Sequence, residues 1–221
     1  MPIITISRTY GSGGAPVGRE LARRFGSEFL DRSIVASVAE RSGIPEAEAE
    51  GYDEQLPSLW QRVAAALATS SPEVSMPPLP SGESLSGGAV QERLARLTRV
   101  VIEEAAERGN AVILGRGAAF IIGRRRDALH VHLHAPLEAR VRNLLTRAEE
   151  IPANARPDAA SLAELCRTVD SKRAQYIKRL FGVNWLDVSH YDLAIDTGST
   201  TIAVAVDLVE LAVKRRLGAG K

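Results

Sequence analysis

A short apolar strand, a glycine-rich turn and a helix follow one another at the start of this 221-residue chain. Residues 3–7 are rich in β-branched side chains, as expected of a buried parallel strand. The turn is Gly11-Ser12-Gly13-Gly14, and residues 16–25 have a helical pattern with Pro16 in the first turn, where its missing N–H is tolerated. Backbone N–H groups of such a turn point inward, and the helix dipole adds partial positive charge. This order therefore predicts an anion site at the start of a parallel α/β unit.

Strand and helix patterns alternate along the rest of the chain. Further strands are predicted at residues 28–30, 111–114, 129–133 and 191–195. Helices are predicted at residues 33–41, 46–69, 89–108, 136–148, 159–179 and 201–217. Because parallel strands need crossover helices, the pattern indicates a three-layer α/β/α fold around a parallel, five-stranded sheet. Residues 70–88 are rich in Ser, Pro and Gly, and we predict a mobile loop there.

Charge and hydropathy limit the function classes. A formal net charge of +1 gives no overall attraction for nucleic acid, so we expect no nucleic-acid partner. No apolar run is as long as a membrane span, and we expect no membrane partner. The chain enters its first strand without a basic leader, so we expect no signal peptide and a cytoplasmic location.

The glycine turn differs from the usual phosphate-binding pattern, which is Gly, four residues, then Gly-Lys-Ser/Thr. With Gly13 as the second glycine, Arg8 stands at the first glycine, Gly14 at the lysine and Ala15 at the magnesium-binding hydroxyl. Phosphoryl transfer depends on positioning and charge neutralisation, so both losses matter. We hypothesise that Arg8 supplies the missing cation.

A second register is also available to the loop. It pairs Gly13 with Gly18 and is followed by Arg19. This register would put Arg19 inside the helix and Pro16 within the loop, so the first register is preferred. Neither register restores the lysine and the hydroxyl.

The loop segment 7–14 resembles the cytidylate kinase-like family, a divergent branch of nucleoside monophosphate kinases that commonly lacks the lysine. The resemblance continues in residues 29–32, 112–118, 134–140, 169–176, 184–185 and 191–193. It implies a P-loop kinase fold and ATP-dependent transfer to a nucleoside monophosphate, CMP or dCMP, with Mg²⁺. It also implies one domain over residues 1–221, with a helical acceptor-side insertion at about 32–108 and a lid-like segment at about 140–180.

The resemblance assigns roles to individual residues. The donor phosphates would lie on the loop residues Tyr10, Gly11, Ser12, Gly13, Gly14 and Ala15. Asp31 would face the acceptor nucleoside, and Arg116 would bind its phosphate. Asp170 and Arg173 would reach the acceptor base, sugar or phosphate. We predict Arg8, Arg116 and Arg173 as the catalytic side chains.

The residue pattern supports part of this assignment independently. Arg8, Asp31 and Arg116 each follow a predicted strand, and ligands of open parallel sheets bind beyond the carboxyl ends of the strands. Asp170 and Arg173 are three residues apart and so share one helix face. The alternatives are a surface arginine at Arg116 and an ordinary ion pair on the helix surface.

Other basic and aromatic residues are ambiguous. Arg140 and Arg179 are our candidates for arginines of a closing lid. The three alternating histidines of the fourth strand share one side of it, but with no cysteine or acidic partner nearby we predict no metal site. The aromatic residues Tyr176, Phe181, Trp185 and Tyr191 could stack on a base or pack on the sheet.

Two other functions remain compatible with the sequence. One is a kinase for a different small phosphorylated or hydroxylated acceptor, because residues 46–90 are the least familiar part of the chain. The other is a non-catalytic nucleotide-binding protein that kept the fold after losing the lysine. The sequence leaves a homodimer open.

Overall fold

The protein is described by a computed structural model that covers residues 2–31, 34, 41, 85–149 and 156–218. The strands are β1 (Ile3–Arg8), β2 (Glu28–Leu30), β3 (Ala111–Leu114), β4 (Ala128–His134) and β5 (Leu193–Asp196). The helices are α1 (Gly14–Phe25), α2 (Leu85–Arg108), α3 (Ala118–Ile122), α4 (Leu137–Ala148), α5 (Ala159–Phe181) and α6 (Ile202–Gly218), with a 3₁₀ turn at Val188–His190.

The five strands form one parallel sheet in the order β2-β3-β1-β4-β5. In the centre, Ile4 of β1 pairs with Val112 of β3 and with Leu129 of β4. The predicted parallel, five-stranded α/β fold is confirmed. The order puts the ends of β2, β3 and β1 side by side, so the residues that follow these strands meet at one edge of the sheet.

Helices cover both faces of the sheet because alternate strand residues point to opposite sides. On one face, Ile4 and Ile6 pack with Val17 and Leu21 of α1 and with apolar residues of α6. On the other face, Ile3 and its neighbours on β3 pack against α2 and α3. Each fully buried Leu or Ile contributes about 1.5–3 kcal/mol, so the two clusters fix where the strand ends and the loop lie.

A third cluster holds the glycine loop itself. The ring of Tyr10 is 1% exposed and packs between α4 and α5, against Val141, Leu144, Leu162 and Val169. Helix α5 begins at an Asp158 cap, whose carboxylate accepts from the Ser161 N–H at 2.8 Å. Through Tyr10, these two helices form a wall behind the loop.

Two element starts and one short helix depart most from the sequence prediction, while other bounds shift by one or two residues. Helix α2 begins at Leu85, inside the stretch predicted as a loop, because glycine lowers helix propensity by about 1 kcal/mol without forbidding a helix. Helix α3 was not predicted, since its five residues are too few for a periodic signal. Strand β5 starts at Leu193, two residues late, because Tyr191 ends the 3₁₀ turn.

Some predictions fall on residues outside the described part of the chain. They are the helix at 46–69, residues 70–84 of the predicted loop, and residues 150–155 of the predicted lid-like segment. Of the predicted helix at 33–41, only Ile34 and Arg41 are described, and both are helical. The division into an acceptor-side insertion and a lid stays a prediction. Among the described helices, none is long and apolar enough to cross a membrane.

His132 is a buried base in the centre of β4. It is 2% exposed, and its ring centroid lies 4.8 Å from that of Tyr191 and 5.6 Å from that of Trp185. Burial, followed by the charge of His134, lowers the pKa of His132 from 6.5 to about 4. The folded protein therefore keeps this imidazole neutral at pH values where the unfolded chain protonates it.

We expect the free energy of unfolding to fall as the pH drops from about 6.5 to about 4. The unfolded chain then binds a proton at His132 that the folded protein does not bind, which costs about 3 kcal/mol over that range. Urea unfolding at a series of pH values measures the loss. His132→Phe keeps an aromatic ring against Tyr191 and should flatten the pH dependence, whereas an unchanged slope would contradict the assignment.

Candidate active site

The glycine loop between β1 and α1 has its carbonyl groups tied to surrounding elements. From Arg8 to Gly13, each of six consecutive carbonyl oxygens accepts a hydrogen bond. The donors, in order, are Arg173 Nη1 (2.9 Å), Ser12 Oγ (2.8 Å), Arg140 Nη1 (3.1 Å), Asn143 Nδ2 (3.2 Å), Thr197 Oγ1 (2.8 Å) and the Val17 N–H (3.2 Å). Four of these donors come from other elements, so the carbonyls of Arg8, Tyr10, Gly11 and Ser12 are held from outside the loop. The carbonyl of Thr9 closes the turn to Ser12, and that of Gly13 belongs to the first turn of α1.

Fixing the carbonyls also fixes the N–H groups. In a trans peptide a carbonyl and the following N–H point in opposite directions, so the N–H groups of Gly11, Gly13 and Gly14 point into the loop. Gly11 and Gly13 both have a φ of +81°, which favours glycine. The twelve-residue helix α1 begins at Gly14 and directs its positive end toward the same point. The loop has the geometry of a phosphate-binding nest.

Two loop residues predicted to bind a cofactor use their own groups elsewhere. The Tyr10 N–H donates to Asp170 Oδ1 at 2.8 Å. The Ser12 hydroxyl is fully buried and donates within the fold, to the carbonyl of Thr9. The phosphate contacts of the loop are therefore expected from its glycine N–H groups.

The loop does not supply the hydroxyl ligand for Mg²⁺ that the usual pattern provides. Position 15 is a fully buried alanine, and the hydroxyl of Ser12 is engaged within the fold. The loop side chains therefore do not fit a magnesium site. Mg²⁺ commonly binds nucleotide phosphates and keeps several waters, so it would arrive with the nucleotide.

Helices α4 and α5 hold the loop through one ionic network. The Asp170 carboxylate accepts from the Tyr10 N–H and, at 2.6 Å, from Arg140 Nη1, which also donates to the Tyr10 carbonyl. Arg173 lies 3.7 Å from the same carboxylate, and its guanidinium lies 5.9 Å from the centroid of the Tyr10 ring. Asp170 thus lies within 4 Å of two arginines, whose charges it partly compensates, and it holds the loop through the Tyr10 N–H.

Beside the loop lies a cavity rich in arginine. Arg8, Arg116 and Arg173 line it together with Ser7 and Trp185, and no acidic residue is among the described residues that form its walls. Arg8 and Arg173 are 5% and 8% exposed, so their charges are largely withdrawn from water. The cavity measures about 40 Å³, which suits a small anionic group. We name it the arginine cavity.

Arg116 is held in an unfavourable backbone conformation. Its φ is +58°, and it stands between Gly115 (φ +75°) and Gly117 (φ +70°). For a side chain with a Cβ, this left-handed conformation costs about 1–2 kcal/mol. Such strain concentrates at functional sites. The turn after β3 brings Arg116 to the wall of the arginine cavity, and its role in binding an acceptor phosphate stays a prediction.

The remaining predicted residues, Asp31, Arg179, Arg140 and Asp170, are not among the residues that line the arginine cavity. Asp31 is 4% exposed and follows β2 at the same sheet edge as Arg8 and Gly115. Arg179 is exposed on α5. The roles predicted for Arg140 and Asp170 in a lid and in acceptor binding stay predictions, and the structure adds their contacts with the loop.

The sequence prediction missed two residues that contact the loop. Asn143 is on α4, and Thr197 follows β5, so each is more than 130 residues away from the loop in sequence. No motif marks either one, because an amide or a hydroxyl at a helix face or strand end is common. For Thr197, the sequence did offer one signal: the residue directly follows the last strand, and ligand sites of parallel sheets lie at the carboxyl ends of strands.

A second groove adjoins the arginine cavity. It is lined by Arg96 and Arg99 of α2, Ile121 of α3, and Tyr176 and Phe181 of α5, and it measures about 200 Å³. Tyr176 forms part of the wall of both spaces. We name this space the α2–α5 groove.

The first test concerns the loop contact made by Thr197. Thr197→Val removes the hydroxyl that donates to the Ser12 carbonyl, and we expect the free energy of unfolding to fall by about 1–2 kcal/mol. We expect the affinity for a nucleoside triphosphate to fall by about tenfold, because the loop loses one of its ties. Calorimetry measures the affinity. Thr146→Val, which removes a hydroxyl bonded within α4, is the matched control. Equal affinities in both variants would contradict the role of Thr197.

The second test separates the charge of Arg116 from its backbone strain. Arg116→Gly and Arg116→Ala both remove the guanidinium, but only glycine relieves the left-handed strain. We therefore expect the glycine variant to be about 1 kcal/mol more stable than the alanine variant, with equal loss of any activity. Thermal unfolding and a turnover assay measure the two effects. An alanine variant as stable as the glycine variant would show that the turn relaxes.

Comparison with known proteins identifies the family of the chain. The chain matches the cytidylate kinase-like family over residues 3–199. A cytidylate kinase from Methanopyrus kandleri is 26% identical over 207 residues, which cover 88% of this chain and 84% of that protein. A uronate isomerase from Corynebacterium glutamicum is 33% identical over 122 residues, 55% of this chain, but the chain spans only 22% of that protein.

Two solved structures share the fold. An uncharacterized protein from Eubacterium ventriosum has a TM-score of 0.63 at 17% identity, covering 97% of this chain and 99% of that one. A shikimate kinase from Bacteroides thetaiotaomicron has a TM-score of 0.50 at 16% identity, covering 96% and 98%. These likenesses concern the fold alone, which is that of P-loop kinases. Because the family match covers most of its length, the chain belongs to the cytidylate kinase-like family.

Proposed function

We propose that the protein transfers the γ-phosphoryl group of ATP to a nucleoside monophosphate, with CMP or dCMP as the preferred acceptor. The observation that carries the proposal is the pairing of two anion sites. One is the glycine loop, whose carbonyls from Arg8 to Gly13 are all hydrogen-bonded, and the other is the arginine cavity beside it. Arg8 belongs to both. A phosphoryl transferase needs this juxtaposition, because it must hold a donor phosphate and an acceptor phosphate side by side.

In this proposal each phosphate has its own partners. The donor phosphates lie on the N–H groups of Gly11, Gly13 and Gly14 at the start of α1. The acceptor phosphate lies in the arginine cavity, where Arg116 and Arg173 neutralise it. Little covalent chemistry is asked of the protein, since such transfers are catalysed by positioning and by charge stabilisation.

The rest of the acceptor needs room next to the arginine cavity. We propose that the acceptor phosphate enters this cavity, which at about 40 Å³ leaves no space for a nucleoside. The α2–α5 groove, at about 200 Å³, begins at the shared Tyr176 wall. We propose that the nucleoside lies there, with its base against Tyr176 or Phe181 and near the cation of Arg99, which lies 5.9 Å from the Phe181 ring.

A different acceptor is the second candidate within the same reaction class. Guanidinium groups bind carboxylates as well as phosphates, in the same bidentate geometry. A small cavity with three arginines would therefore also take a hydroxylated carboxylic acid. The likeness to a shikimate kinase in fold, and to part of a uronate isomerase in sequence, gives two such acids to include in a test.

The third candidate is a nucleotide-binding protein without turnover. It is favoured by the absence of lysine at position 14 and of a hydroxyl at position 15. It predicts nucleotide binding that no acceptor converts to product. The arginine cavity argues for an acceptor, because a sensor would have no need of a second anion site.

An acceptor panel tests the proposal. Coupled ADP release is measured with ATP and each of CMP, dCMP, UMP, AMP, GMP, shikimate and glucuronate, with and without Mg²⁺. We expect Mg²⁺-dependent turnover with CMP or dCMP that exceeds turnover with the other acceptors by at least about tenfold. Turnover with an acid alone would support the second candidate. Nucleotide binding by calorimetry without turnover on any acceptor would refute the proposed kinase activity and support the third.

A further inference from the structure

Gly14 lies against the side chain of Arg8. A Cβ atom built on Gly14 would lie 2.8 Å from Cγ, 3.2 Å from Cβ and 3.3 Å from Cδ of Arg8. The aliphatic stem of Arg8 therefore crosses directly over the Cα of Gly14. Gly14 has the ordinary backbone of a helix start, so its backbone does not require glycine. The reason for glycine at this position is the Arg8 stem.

The charged end of the Arg8 side chain lies against Gly115. A Cβ built on Gly115 would lie 1.9 Å from Nη1 and 3.1 Å from Cζ of Arg8. The guanidinium thus extends from the loop to the turn after β3, next to Arg116. The guanidinium belongs to the wall of the arginine cavity, while the stem of the same side chain passes the glycine loop at Gly14. Glycines at positions 14 and 115 leave the path of Arg8 open at both ends.

In the preferred register, position 14 is where the usual pattern has its lysine and position 8 is where it has its first glycine. We propose that the cation and the glycine have exchanged positions: Arg8 binds the donor phosphates from the space that a lysine at position 14 would occupy. Positions 8 and 14 then act as one unit. An arginine at position 8 fits with glycine at position 14, and a lysine at position 14 fits with glycine at position 8, but the arginine and the lysine together would clash. The proposal rests on the proposed function, because it requires nucleotide phosphate on the loop.

The alternative is that the loop has simply lost its cation and that Arg8 packs as a structural residue. Both readings give a functional defect or a folding defect when Arg8 is removed. They differ in what happens when a lysine is introduced. With exchanged positions, a lysine at 14 is harmful while Arg8 is present and beneficial once Arg8 is replaced by glycine. With a purely structural Arg8, the lysine brings no recovery.

A four-protein cycle tests the proposal: the unchanged protein, Arg8→Gly, Gly14→Lys and the double variant. Calorimetry with ADP measures the dissociation constant of each. We expect each single variant to bind ADP at least about tenfold more weakly, because one charge-assisted contact to phosphate is lost or misplaced. We expect the double variant to bind within about threefold of the unchanged protein, which is strong non-additivity.

Thermal unfolding of the same proteins tests the steric part without a ligand. Gly14→Ala adds only the clashing Cβ, so it should lower the Tm, and Arg8→Gly in the same chain should restore most of the loss. This comparison remains available if Gly14→Lys does not fold. Arg19→Ala is the matched control, because Arg19 is exposed on α1 and belongs to the rejected register, and its affinity for ADP should stay within about twofold.

Several outcomes would overturn the inference. Additive losses in the double variant, or full ADP affinity in Arg8→Gly, would show that the positions have not exchanged roles. Failure of the proposed function has a different signature: the unchanged protein binds ADP and the double variant recovers binding, while no acceptor is phosphorylated. An unchanged protein that binds no ADP would refute both.

Discussion

The carboxylate of Asp170 holds the glycine loop from behind, and the rest of the site depends on that contact. It accepts from the Tyr10 N–H at 2.8 Å and from Arg140 at 2.6 Å, and Arg140 in turn donates to the Tyr10 carbonyl. One acidic group thus fixes both sides of a loop residue whose ring is buried between α4 and α5. Removing one partner of a fully buried ion pair costs about 3–5 kcal/mol, and a smaller loss is expected for this half-buried network because water partly compensates the remaining charges.

Three arginines of the site line a cavity with little access to water, where their interaction with an anion is stronger than at the surface. Arg8 and Arg173 are both under a tenth exposed, and Arg116 completes the wall that they form. Interactions between charges strengthen as the local dielectric falls, so a phosphate in this cavity would be bound more firmly than by the same arginines at the surface. Asp170, which is not a wall residue of the cavity, lies 3.7 Å from Arg173 and partly compensates its charge, which lets the fold tolerate the arginine before an anion arrives.

The family match and the local geometry explain different features of the protein. The family match covers residues 3–199 and accounts for the fold. It gives no physical reason for the glycine at residue 14, where the chain departs from the usual phosphate-loop pattern. The path of Arg8 over Gly14 gives that departure a physical cause, since two bulky side chains cannot share the space above one Cα.

The sequence by itself determined the β1–loop–α1 unit, the parallel sheet and the strand ends from which Arg8, Asp31 and Arg116 extend. These features are local: alternation, glycine at turns and residue order record them directly. Only the tertiary structure decided that Asp170 holds the loop, that Asn143 and Thr197 tie its carbonyls, and that Arg8 crosses Gly14 to reach Gly115. The partners in these contacts are mostly more than 100 residues apart in the chain, or depend on the path of a long side chain, and no short-range pattern specifies either. The packing of α4 and α5 around Tyr10 brings most of them together.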